Sequence, residues 1–216
     1  MMTDMPLAVR PATPGDPAVD LLYLSAKPYY DAYAGSERRA RAMLASLYGR
    51  GGHAASHEVC AVAELDGVLA GVMASFPVSE GDARARRFVS LTAPRVPPWR
   101  WPALIRHLRA AGLLSPHPPA NTLYVDALAV DPGFRRRGVA RALLARAERE
   151  AAAAGLDGVS LDTGLHNEPA RALYEAAGYR EREVRRAPTP AVAEAVGGPG
   201  FVSYVKRFSA SATSVT

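Results

Sequence analysis

A single cysteine and two lysines among 216 residues set the first limits. Cys60 alone excludes an internal disulfide, so the expected location is the reducing cytoplasm. No apolar run approaches the ~20 residues of a membrane-spanning helix, and no membrane partner is expected. Met1 to Pro6 carries Asp4 and lacks the basic region and apolar stretch of a signal peptide. Because Lys27 and Lys206 are the only lysines, the formal charge of +5 is carried by arginine. Nucleic acid is one partner that such a balance suggests. A solvated arginine-rich surface with one local anion site accounts for it better, so no nucleic-acid partner is expected. His53 and His57 are four apart, but Gly51-Gly52 disfavours a helix there and no third ligand is near, so no metal is expected.

What remains is the profile of a soluble globular chain, 49% hydrophobic and 22% charged. Its length suits one domain with a full core. Residues 7–10 read as a short strand. Asp16 to Tyr33 can be helical, with Pro28 interrupting it. Ser36 to Tyr48 has a capping serine and Met43, Leu44 and Leu47 at helical spacing. The apolar runs 58–65 and 68–76 flank Asp66-Gly67, a hairpin signal. Residues 77–120 read as a helical and proline-rich insertion. Val96 to Pro102 is expected to be irregular, and Ala103 to Leu114 amphipathic with Leu104, Ile105, Leu108 and Ala111 on one side. This insertion either walls a substrate pocket or is purely structural.

From Asn121 the pattern sharpens. Thr122 to Val130 is a strand, Gly138 to Ala154 a helix, Gly158 to Thr163 a strand, and Glu168 to Ala177 a helix capped by Asn167. Strands at 179–186 and 201–208 follow, separated by a loop at 187–200. The tail from Ser209 is expected to be disordered. The expectation is therefore an α/β domain over 1–208, with a mixed, mostly antiparallel sheet, helices on both faces and the 77–120 insertion before the key strand.

That strand runs into Arg135-Arg136-Arg137-Gly138-Val139-Ala140-Arg141 and a helix. Unpaired N–H groups and the helix dipole favour an anion there, and Gly138 and Ala140 allow close approach, so a pyrophosphate is the natural guest. The Gly-Lys-Ser/Thr ending of a nucleotide-hydrolase loop is absent, and so is the three-glycine dinucleotide fingerprint. What matches is Arg/Gln-x-x-Gly-x-Gly/Ala, filled by Arg135, Gly138 and Ala140. A second run, Asn167-x-x-Ala170-x-x-Leu173-Tyr174-x-x-x-Gly178-Tyr179, places Asn167 and Tyr174 on one helix face. Together these resemble the acetyl-CoA-binding motifs of the GNAT superfamily of N-acetyltransferases, and the order of the remaining elements is similar to that family's.

The resemblance implies a co-substrate, acetyl-CoA, and direct attack by an amine. It implies that Leu128, Ala129 and Val130 offer backbone groups to the pantetheine arm and an N–H to the thioester oxygen. It implies that Arg135, Arg136, Arg137, Gly138, Val139, Ala140 and Arg141 hold the pyrophosphate, and that Asn167 bonds the arm or caps its helix. Tyr174 matches the tyrosine that protonates the departing thiolate, the alternative being an aromatic packed on the sheet. Asp126, an acid inside the apolar run YVDALAV, faces a wet cleft or a partner. By period two it shares a face with Tyr124 and Leu128. It serves as general base, as a ligand for the substrate ammonium, or as an ion-pair partner, and the sequence leaves these open. Tyr124, Tyr29 and Tyr30 are candidates for the acceptor pocket. Cys60 reads as core, and His107 and His166 as surface residues. The expected acceptor is a small-molecule primary amine. A protein or peptide amine, a catalytically silent acetyl-CoA-binding module and a nucleic-acid-binding protein are the alternatives. In such a family the chain is a monomer or a homodimer.

Overall fold

The structure, a computed structural model, describes residues 7–208. The expected tail at 209–216 and the segment Met1 to Pro6 lie outside these residues. The chain opens with strand β1 (Ala8–Pro11), then helices α1 (Val19–Ser25) and α2 (Lys27–Ala34). The expected interruption at Pro28 is a break at Ala26, because proline fits the first turn of a new helix. Helix α3 (Glu37–Tyr48) starts where Ser36 Oγ accepts from Arg39 N, a cap worth about 1 kcal/mol. Strands β2 (Cys60–Leu65) and β3 (Val68–Pro77) form the expected hairpin. Asp66 and Gly67 both have positive φ, 56° and 74°, as a two-residue turn between twisted strands requires.

The insertion holds more helix than its sequence suggests. Helix α4 (Gly81–Thr92) occupies the polar, basic stretch, with Phe88 and Thr92 turned inward. The irregular stretch expected at 96–102 is shorter. Trp101 and Pro102 open helix α5 (Trp101–Leu114), since a proline in the first turn loses no hydrogen bond. Leu104 and Ala111 of α5 are buried as expected, while Ile105 is exposed.

The rest follows as strand β4 (Leu123–Val130), helix α6 (Val139–Ala153), strand β5 (Gly158–Gly164), helix α7 (Glu168–Ala176), strand β6 (Arg180–Arg186), helix α8 (Pro190–Val196) and strand β7 (Gly200–Arg207). Helix α8 replaces part of the expected loop at 187–200. Its Thr189 cap, Pro190 in the first turn and Gly197 after the end were the available signals.

Among the described residues the strands form one sheet in the order β1-β2-β3-β4-β5-β7-β6, antiparallel except between β4 and β5. One face carries α6 and α7 over a core of Met73, Val125, Leu143, Leu144, Leu161 and Tyr204. The other carries α1 to α3, the insertion and α8. Gly71 on β3 lets α6 lie close, for a Cβ there would stand 2.8 Å from Val139 Cγ1.

Candidate active site

Beyond Val130 the chain makes a short turn in which Asp131 Oδ1 accepts from Gly133 N at 2.8 Å. Arg136 (φ 64°) and Gly138 (φ 83°) then take left-handed conformations. For arginine this costs about 1–2 kcal/mol, and it curls the backbone into a concavity of N–H groups. No side chain caps α6 and no acid lies in its first turn, so the positive end of its dipole is open. Nothing lies within 4 Å of the place a Cβ on Gly138 would occupy. These features meet the needs of a pyrophosphate. Arg135, Arg136, Gly138, Val139, Ala140 and Arg141 line a cleft of about 820 Å³, together with Leu128, Ala129, Val130, Asn167 and Tyr174. The expected Arg137 does not join them. Its guanidinium lies 5.7 Å from the Phe134 ring centre, outside the cleft lining.

The cleft follows a gap in the sheet. Strands β4 and β5 pair only from Leu123↔Val159 to Val125↔Leu161. From Ala127 to Val130 the β4 backbone pairs with β3 on one side and has no partner strand on the other among the described residues. Its polar groups there are available to a ligand arm. Asn167 borders this gap. Its Oδ1 accepts from Ala170 N at 3.4 Å, a long bond for a cap, and its Nδ2 donates to Thr163 Oγ1 at 3.1 Å. Tyr174, two turns on, is 6% exposed and packs against Tyr179 and Tyr204 at ring distances of 6.2 and 5.6 Å. Its hydroxyl has no hydrogen-bond partner among the described residues, and burial raises its pKa above the ordinary tyrosine range.

Asp126 occupies a β-bulge. Ala127 faces Ala74 and Val125 faces Ser75, so Asp126 is one residue too many for β3. The bulge corrects the expected alternation. Tyr124 packs on the α1 face, but Leu128 packs on the α6 face, because the extra residue shifts the phase of everything after it. Asp126 is exposed to solvent at the point where β4 and β5 part. Its pKa is pushed up to about 7, first by desolvation and then by the charge of Asp162. Asp162 was not singled out in the sequence. It stands at the next register position of β5, across the point where the strands part. Burial raises its pKa, and a hydrogen bond from the Tyr124 hydroxyl opposes that rise. The visible signal was an acid two residues after Ser160 in an otherwise uncharged strand.

The charge of Asp126 also acts on Tyr29, Tyr30 and Cys60, which places it toward the α2 side of the sheet. Helices α2, α5 and α8 pack together over that side. His107, expected at the surface, is 1% exposed in this wedge. It lies 4.5 Å from the Tyr29 ring, and its Nδ1 meets Ala195 O at 2.7 Å. Its burial reflects α8, which stands in place of the expected loop. Cys60 is buried and His166 exposed, as expected. His53 and His57 bond the carbonyls of Leu47 and Tyr48.

The arrangement joins an anion cradle, a gap for an extended arm, a carboxylate poised near neutrality and a protonated phenol. Comparison with known proteins agrees. Residues 19–179 match the model of the acetyltransferase (GNAT) family. A search of curated proteins finds no match. The chain is similar in fold to an N-acetyltransferase from Staphylococcus aureus Mu50, at 15% identity and a TM-score of 0.68, over 92% of this chain and 100% of that one. It is similar to a polyamine N-acetyltransferase of Drosophila melanogaster, at 17% identity and 0.57, over 94% and 100%. It is also similar to the ribosomal-protein-S18-alanine N-acetyltransferase of Escherichia coli, at 16% and 0.51, over 97% and 99%. With most of its length inside the family model, the chain belongs to the acetyltransferase (GNAT) family and is an acetyl-CoA-dependent acyltransferase.

Proposed function

We propose that the protein acetylates the primary amine of a small molecule by direct attack of that amine on acetyl-CoA. The observation that carries the choice of a small acceptor is the wedge of α2, α5 and α8 over the acceptor side of the gap. An extended peptide needs an open groove, and these helices take up the space. The polyamine enzyme among the similar folds acts on acceptors of this size, and the ribosomal-protein enzyme acts on an alanine of a protein.

The residues divide the work. Arg135, Arg136 and Arg141, with the N–H groups of Gly138 to Ala140, hold the pyrophosphate. The free edge of Leu128 to Val130 holds the arm and turns an N–H toward the thioester oxygen. Asp126 removes a proton from the ammonium, and the freed nitrogen attacks the acetyl carbon. The C–N bond forms and the C–S bond breaks. Tyr174 protonates the departing thiolate and regains a proton from the acetylated nitrogen. Asn167 fixes the start of α7 and with it the position of Tyr174.

The test is an acceptor screen that reads thiol release from acetyl-CoA, with alkylamines, arylamines and peptides bearing free N-termini or lysines. Turnover of small amines well above that of every peptide is the expected result. Peptides turned over as well as the best small amine would overturn the reading.

A further inference from the structure

Both tryptophans of the chain, Trp99 and Trp101, stand in one stretch of the insertion, 76% and 50% exposed. Trp99 belongs to a short helical turn, Pro98–Arg100. Trp101 opens α5, and its Nε1 donates to the Val96 carbonyl at 3.1 Å. The patch continues along the helix. Trp101, Ile105, Arg109 and Leu113 recur every fourth residue, so they form one stripe, and all four are exposed. Arg106 is exposed beside them. The opposite face of α5, with Leu104, His107, Ala110, Ala111 and Leu114, is buried against the protein. Helix α5 therefore shows large apolar side chains on both faces, whereas a helix at a water surface turns a polar face outward. The charge around the patch has one sign. No acid occurs from residue 83 to residue 125. Of the seven arginines there, only Arg84 forms an ion pair among the described residues.

We propose that this face of the insertion docks on an anionic lipid surface, with Trp99, Trp101, Ile105 and Leu113 at the headgroup boundary and Arg106 and Arg109 on the lipid phosphates. It departs from the expectation of no membrane partner, which rested on the lack of a spanning helix. No helix among the described residues is long and apolar enough to cross a membrane, and contact from one side requires none. Three features select this occupant. Indole rings sit favourably between headgroups and acyl chains, where the ring meets apolar surroundings and its N–H polar ones. Arginines beside them meet the negative potential of anionic headgroups, a gain of about fivefold in partition for each. Ile105 and Leu113 gain by leaving water. A nucleic acid would use the arginines and the rings but would leave the aliphatic side chains in water. A second copy would bring two sets of unpaired arginines together. None of the residues that line the acetyl-CoA cleft comes from the insertion, so docking leaves that cleft open.

The test follows tryptophan emission, which reports on this stretch alone because the chain has no other indole. The full chain is titrated with vesicles of phosphatidylglycerol and phosphatidylcholine in equal parts, and with vesicles of phosphatidylcholine alone. Emission at shorter wavelength and co-sedimentation are expected with the anionic vesicles, and both should weaken as salt rises from about 50 to about 500 mM. Trp99→Phe and Trp101→Phe each leave one reporter, and both reporters should shift. Arg106→Gln together with Arg109→Gln should weaken sedimentation about 25-fold. Ile105→Glu should weaken it about 10- to 100-fold, since it removes an apolar contact and adds a repelled charge. These side chains are exposed, so calorimetry with acetyl-CoA should find wild-type affinity in each variant. Wild type that neither shifts nor sediments with anionic vesicles overturns the proposal, as does binding that both sets of substitutions leave intact. Emission that responds to a single-stranded oligonucleotide and not to vesicles assigns the face to nucleic acid. Emission that shifts with protein concentration alone, with a dimer mass in light scattering, assigns it to a second copy. Either result overturns the lipid proposal.

Discussion

Asp126 and Tyr174 carry the sharpest consequences at the scale of single residues. Asp126 must be ionised to act as base, so kcat should rise with pH and level off above about 7. Asp126→Asn should remove this limb and lower kcat by about 10²-fold, as read from a pH series of initial rates. The same group affects folding. Its folded pKa lies above the unfolded value of 3.8, so the folded chain keeps the proton to higher pH and stability falls as pH rises from about 4 to about 7. Asp126→Asn should therefore melt higher than wild type at pH 8, with the difference gone near pH 4. Tyr174→Phe should reduce kcat about 10²- to 10³-fold and leave the KM for acetyl-CoA and the melting temperature close to wild type. The hydroxyl has no partner to lose among the described residues, so a large fall in melting temperature would mean that the phenol is structural. Tyr174 was legible because a helix fixes the spacing to Asn167. The Asp126 bulge was not, because a bulge is a property of two strands and the sequence shows them apart. Asp162 was hidden for the same reason.

Elements defined by their own ends were readable, and those defined by neighbours were not. The hairpin at Asp66-Gly67, the cap at Ser36 and the loop before α6 each carry their instructions within a few residues. Helix α5 does not. Which of its residues turn inward depends on α2 and α8, so His107 is buried and Ile105 exposed against a periodicity that ranked them the other way. Arg137 differs from Arg135 and Arg136 because Phe134 gives its guanidinium a ring to lie on. The loop before α6 gives a direct test. Gly138→Asp adds a Cβ at positive φ and a negative charge at the helix N-terminus. Paired with Arg135→Glu, it should abolish acetyl-CoA binding in calorimetry while the circular dichroism of the folded protein is kept. Binding retained in that double variant would place the pyrophosphate elsewhere.

Across the whole molecule the charges are sorted. Between Asp82 and Asp126 the sequence has no acid and seven arginines. The α6 loop carries four more, three of them lining the cleft, where they favour the approach of an anionic ligand. Acetyl-CoA at about a hundredfold excess over its Kd should raise the melting temperature by about 5–10 °C, and the shift should shrink between 50 and 500 mM salt. A salt-independent shift would assign the binding energy to the apolar walls of the cleft instead of the arginines. The fold class and the loop before α6 were within reach of the sequence. The wedge of α2, α5 and α8 was not, since it arises where three helices far apart in the chain meet.

The bulge also makes parity a property of place. Before Asp126 the odd-numbered side chains of β4, Leu123 and Val125, face α6; after it the even-numbered ones, Leu128 and Val130, do. Deleting Asp126 would remove the bulge and restore strict alternation, so Leu128 and Val130 would still face α6 and Ala127 and Ala129 the other side. The strand is thus a partition whose two rooms keep their furniture with or without the extra residue, and the deletion would take away the carboxylate alone.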